Sequence, residues 1–149
     1  MSELKPFAGK LAELVGAQSP AGRRKLAAEI AKELRKSQQQ RIKLQKAPDG
    51  TPYQARKRQP LRSKSGRIKR AMFQKLRTSR YVKASGRNDA AVVEFTGKVQ
   101  RIARVHQYGL KDKATTSGVM IQYPSRPLFG FDTLNKKKVE EIVSLHFLH

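Results

Sequence analysis

The chain has 149 residues, enough for one domain with a modest core, and carries 33 lysines and arginines against 11 acids, a formal net charge of +22. It has no cysteine, which excludes disulfides, thiol nucleophiles and thiolate metal sites. It also lacks a signal-peptide core and any apolar run of membrane-spanning length, which predicts a protein made and kept in a cytoplasm-like compartment.

Residues 3–16 have the spacing of a short helix, with Leu4, Phe7, Leu11, Leu14 and Val15 on one side and Gly16 closing it. Ser19 and Pro20 are a good N-cap and first helical residue for a second, longer helix. Leu26, Ala27, Ile30, Ala31 and Leu34 mark its apolar face. The pair predicts an antiparallel helical hairpin over residues 1–45. The apolar stripe stops after Leu34, although the sequence stays helix-forming to Gln45, giving an element of roughly 37 Å at about 1.5 Å per residue. Ile42 and Leu44 fall on opposite sides of it, so one core cannot cover both, and the second half is predicted free to meet something else.

Residues 46–66 contain Pro48, Pro52 and Pro60 and read as a basic, proline-containing arm. A helix opens at Ser65-Gly66, with Ile68, Met72, Phe73 and Leu76 on one face. Arg80–Ala84 and Ala91–Thr96 alternate as two strands joined by 85–89. Val99, Ile102, Ala103 and His106 return to helical spacing until Gly109. Residues 110–118 read as a polar loop, Val119–Tyr123 as a strand, and a last helix begins near Asp132. The fold class is therefore α+β: a helical hairpin, then a small antiparallel sheet with packed helices over 67–149, all within a single domain.

The charge is concentrated. Residues 23–87 hold 22 basic residues and three acids, and the stretch from Arg56 to Arg87 holds 13 basic residues and no acid. Such a field favours a polyanionic neighbour, either nucleic acid or an acidic protein surface. Arg56, Lys57, Arg58, Arg62, Lys64, Arg67, Lys69 and Arg70 are the candidate contacts. Tyr53, Phe73, Tyr81 and Tyr108 lie among basic residues, as base stacking would require, yet Phe73 and Tyr81 serve equally well as core. The three histidines have no metal-ligand spacing, Glu140 and Glu141 point to different azimuths, and no nucleophile elbow or glycine-rich phosphate loop occurs. No catalytic, metal or cofactor residue is nominated, and the reading is not an enzyme.

Four blocks carry a family resemblance. They are Gln38-Gln39-Gln40-Arg41-Ile42 with Pro48-Asp49-Gly50-Thr51-Pro52-Tyr53, then Ser65-Gly66-Arg67-Ile68 through Met72-Phe73, then Ala103–Leu110, and last Tyr123–Phe131. In this order they resemble the phage virion morphogenesis family, the tail completion proteins of contractile-tailed phages and their prophage relatives. The match departs at the last helix, where Asp132-Thr133-Leu134-Asn135 runs straight into Lys136-Lys137-Lys138. The resemblance implies a phage neck or tail-completion fold. It also implies a structural virion protein of the tail or neck, assembled in the bacterial host cytoplasm, that completes the tail and supports head–tail joining. Its partners would be itself, as a ring of six on the tail, and other tail or neck proteins, with nonspecific DNA contact and neither membrane nor small-molecule substrate. Ring closure needs two different patches per subunit, and Gln38, Gln39, Arg41, Ile42, Leu44 and Tyr53 are the candidate subunit contacts. The alternative reading is a sequence-nonspecific nucleic-acid-binding protein outside any virion.

Overall fold

A computed structural model describes residues 18–56, 71–87, 90–113 and 118–148. Its elements are helix α1 (Pro20–Lys43), strands β1 (Val82–Gly86) and β2 (Ala91–Phe95), helix α2 (Gln100–Tyr108), strands β3 (Lys111–Lys113) and β4 (Met120–Gln122), and helix α3 (Thr133–Leu148). Strands β1 and β2 pair as one two-stranded sheet, β3 and β4 as another. The fold is α+β, as expected. The first arm of the predicted helical hairpin, residues 3–16, lies outside the described residues, as do the first six residues of the helix predicted from Ser65.

The described residues gather into two compact units, and α1 and the β1–β2 hairpin each run from one into the other. In the first unit, α1 starts where the sequence predicts. Ser19 Oγ accepts a hydrogen bond from Gly22 N at 3.1 Å, and its carbonyl accepts from Arg23 N. Leu26, Ala27 and Ala31 are buried along this half of α1, and Val143 and Asn135 are buried on α3. Lys138 of α3 lies 3.8 Å from Glu33. The small side chains have a purpose: Gly86 crosses the helix so closely that a methyl group there would overlap the backbone of Ala28. His146 shares a hydrogen bond of 3.0 Å with Gln18 Oε1.

The second unit holds residues 37–82 and 95–132. Ile42, Val82 and Leu128 are almost fully buried in it, with Phe95, Val99, Ala103 and Val105. The rings of Phe95 and Phe129 stack at 4.3 Å. Helix α2 ends as expected at Gly109, whose φ of 66° closes it by returning a backbone N–H to Val105 O.

Four local expectations are corrected by the structure. Helix α1 stops at Lys43, two residues early, because Gln45 takes a left-handed φ of 60°. The cost of that backbone is offset by the Gln45 amide: Nε2 donates to Ile42 O (2.8 Å) and Met72 O (2.9 Å), while Oε1 accepts from Met72 N (2.9 Å). Residues 72–77 form successive turns rather than a helix, since Phe73 has φ 64°, which no right-handed helix passes through. The loop predicted over 110–118 begins with strand β3, in register Lys111↔Gln122, Asp112↔Ile121 and Lys113↔Met120. Ile102, predicted on the inner face of α2, is half exposed, and Val105 takes its place in the core.

Candidate functional site

The second unit is organised around Tyr123–Asp132, a strap with no regular secondary structure of its own beyond the end of β4. Where such a segment is buried, as it is at Arg126 and Leu128, it cannot satisfy its own N–H and C=O groups, so other parts of the chain must do so. Side chains from three separate elements perform this task. From α2, Gln107 Nε2 donates to Phe129 O (3.0 Å), while its Oε1 accepts from Leu128 N (2.7 Å) and Phe129 N (3.0 Å). From α1, Gln38 Oε1 accepts from Gly130 N at 3.0 Å, and Arg41 Nη2 donates to Leu128 O at 3.2 Å. From the arm, Tyr53 donates its hydroxyl hydrogen to Pro127 O at 2.8 Å.

The strap repays α2 at its open end. Arg126 N donates to His106 O (2.7 Å) and Ser125 Oγ to Gln107 O (3.0 Å), which satisfies two of the last carbonyls of that helix.

Two arginines anchor the arrangement. Arg41 is buried, pairs with Asp132 at 3.3 Å and also donates to Gln38 Oε1. Burial lowers its pKa from the usual arginine range, and Asp132 opposes that. Arg126 is buried as well and donates to Gln54 O (2.8 Å) and Ala55 O (3.2 Å), holding the start of the arm against the strap. Tyr53, beside them, has its phenol pushed up to about 12 by burial, against the pull of Arg41. Edge-to-face ring contacts run from Tyr53 to Phe73 (5.7 Å), on to His106 (5.0 Å), and on to Tyr123 (5.1 Å). His106 Nδ1 is buried with no hydrogen-bond partner among the described residues. Burial, then the nearby Arg126, lowers the pKa of this imidazole, and Asp112 opposes the shift, so the ring is held neutral.

Gln38, Arg41, Tyr53, Phe73, His106, Gln107 and Leu128, all drawn from the quoted blocks, therefore meet in one unit, and what they build is an interior. The pattern defining the phage virion morphogenesis family matches residues 2–147. The chain belongs to that family. It is 48% identical over 147 residues to tail completion protein S of Escherichia phage P2, a match covering 98% of each protein. No solved structure matches. In this member of the morphogenesis family, Gln38, Arg41, Tyr53 and Gln107 of those blocks satisfy the strap.

The six candidate subunit contacts divide accordingly. Gln38, Arg41, Ile42 and Tyr53 are buried within their own chain. Gln39 is partly exposed and donates to Ser79 Oγ at 3.1 Å, and Leu44 is 56% exposed. The buried face of α1 thus does not end at Leu34. It continues as Gln38, Arg41 and Ile42, the first two polar with partners in the strap, and Gln45, just past the end of the helix, binds the backbone of Met72. Of the candidate polyanion contacts, Arg56 is exposed. Lys57, Arg58, Arg62, Lys64, Arg67, Lys69 and Arg70 lie outside the described residues. Among the aromatic candidates for stacking, Tyr53 and Phe73 belong to the interior, Tyr81 carries the Arg80 guanidinium 5.5 Å from its ring centre, and Tyr108 is 67% exposed.

In the first unit, Lys25, Glu29, Ile142, Leu145 and His146 line a cleft of about 410 Å³. Its one imidazole is engaged by Gln18, and it holds a single carboxylate. Among the described residues no three metal-ligating side chains come together, and no helix is long and apolar enough to cross a membrane.

Proposed function

We propose that this chain is a structural protein that completes the tail of a contractile-tailed phage and supports joining of the tail to the head. In that role it would be a ring subunit at the head-proximal end, near the path of the DNA. The observation that carries this reading is the 48% identity, over 98% of both chains, with a protein named for tail completion. The use made of residues from the quoted blocks agrees with it. Gln38, Arg41, Tyr53 and Gln107 hold backbone groups of the strap, so the polar groups that look most like a site are spent on the fold. A ring needs two different surface patches per subunit, and the outer side of α1 around Gln39 and Leu44 is offered as one of them. Its basic residues would offset phosphate charge without reading sequence.

The experiment is complementation. Infected extracts lacking this protein should contain filled heads and built tails that do not join, and adding the purified protein should restore joining. Folded His106→Gln should restore it equally well, because nothing in the reading requires turnover. Head–tail joining that proceeds normally without the protein would overturn the assignment. The role of the basic arm is read separately, by DNA binding against salt. Substituting Arg56, Lys57, Arg58, Arg62 and Lys64 together should flatten the dependence. An unchanged slope would assign those charges to acidic protein surfaces.

A further inference from the structure

The β3–β4 hairpin presents two unlike faces. Its register places Asp112 and Ile121 on one side and Lys111, Lys113, Met120 and Gln122 on the other. The first side is turned to α2, where Asp112 forms an ion pair with Arg101. The second side is open, and Lys111, Lys113, Met120 and Gln122 are all exposed. Met120 on this face is 56% exposed, and Val119 and Leu110, one residue outside β4 and β3, are 59% and 37% exposed. The one carboxylate of the hairpin's described residues is thus turned inward and neutralised, leaving an outer face that combines two lysines with the uncovered Met120, with Val119 exposed at its edge.

We propose that this outer face docks an acidic surface of a different protein, with apolar residues meeting Met120 and Val119 and carboxylates meeting Lys111 and Lys113. Charge selects the partner. A second copy brings the same net charge of +22, and four of its carboxylates, Glu33, Asp112, Asp132 and Glu141, are already ion-paired within the chain. Nucleic acid would satisfy the lysines, but its phosphate backbone offers nothing to cover Val119 and Met120. An acid-rimmed apolar patch satisfies both. The inference rests on the tail-completion reading only for where the partner is sought, among the proteins of the assembling particle.

The test uses the whole protein in infected extract, with a water-soluble carbodiimide as the probe, since this reagent joins a lysine amine to a carboxylate only when the two are in contact. Peptide mapping should find Lys111 or Lys113 joined to an aspartate or glutamate of another virion protein. Coupling confined to a second copy of this chain, coupling at other lysines only, or association abolished by nuclease would each overturn the proposal. A triple variant, Lys111→Glu, Lys113→Glu and Met120→Ser, should melt as the parent does yet enter particles at least tenfold less. Undiminished entry would sink the idea even if wild-type protein completes tails. Coupling is read in the extract whether or not heads and tails join, so a failure of the tail-completion reading is seen separately.

Discussion

Removing the guanidinium of Arg41 is the sharpest probe of how the second unit is held. Arg41→Ala leaves Leu128 O without its donor and strips Gln38 Oε1 of one of its two. It also removes the Arg41–Asp132 ion pair, in which the Asp132 side chain is 22% exposed. A buried acceptor left without a donor costs about 1–3 kcal/mol, and breaking a fully buried ion pair costs about 3–5 kcal/mol. The partial exposure of Asp132 and the long 3.4 Å contact to Gly130 O argue for the lower part of that range, so the expected loss is about 3 kcal/mol. With a urea slope near 2 kcal/mol per molar for a chain of this size, the midpoint should fall by about 1.5 M. Arg41→Lys keeps a cation near Asp132 but cannot fork to the strap carbonyls, and should lose about half as much. Urea unfolding followed by circular dichroism provides the measurement. A midpoint for Arg41→Ala within about 0.3 M of the parent would show that the strap is held by its apolar residues alone and refute the argument.

Gly109→Ala combines a left-handed φ of 66° with a methyl group 2.8 Å from Ser125 N, so it should cost about 2–3 kcal/mol and lower Tm by roughly 5–10 °C. Gly86→Ala, pressed on the backbone of Ala28, should lower Tm markedly, while Gly97→Ala, with nothing nearby, should leave it level or slightly raised in the same thermal scan. Because the folded chain holds His106 neutral with a lowered pKa, the unfolded chain takes up the proton first as pH falls below about 6.5. Stability should therefore fall with pH through that window, and His106→Gln should flatten the dependence in unfolding curves taken above the carboxylate range. Leu44→Ser should leave the melting temperature unchanged, since the side chain is 56% exposed, yet reduce incorporation into particles if the outer side of α1 is a subunit contact.

Elements announced by periodicity or caps were legible in the sequence. Ser19-Pro20 starts α1, Gly109 ends α2, and the alternation of 80–84 and 91–96 marks β1 and β2 to within two residues at either end. Strand β3 was hidden because Lys-Asp-Lys has no apolar pattern, and its definition comes from pairing with β4 and from Arg101. The turns at 72–77 were hidden because the helical spacing of Met72, Phe73 and Leu76 is satisfied by turns once Gln45 binds the backbone of Met72. The hardest error concerned Gln38 and Arg41. Polar residues on a helix read as surface, and only the requirement of a distant, proline-interrupted segment for donors and acceptors makes them interior. Pro124, Pro127 and Gly130 around the apolar Leu128 and Phe129 were the available clue: a buried stretch unable to form a strand must be satisfied by someone else's side chains.

The strap also sets an order of events during synthesis. Arg41 and its acceptor Asp132 are 91 residues apart, and Gln38 and Gly130 are 92 apart. At about 5–20 residues per second, the ribosome exposes α1 roughly 5–18 s before the segment that covers it emerges. During that interval the Gln38–Arg41–Ile42 face is open and its cation hydrated, so the nascent chain presents to the cell a surface that the finished protein never shows. Stalling or cleavage before residue 132 would leave it in that condition, which makes the last fifth of the message the part on which a soluble product depends.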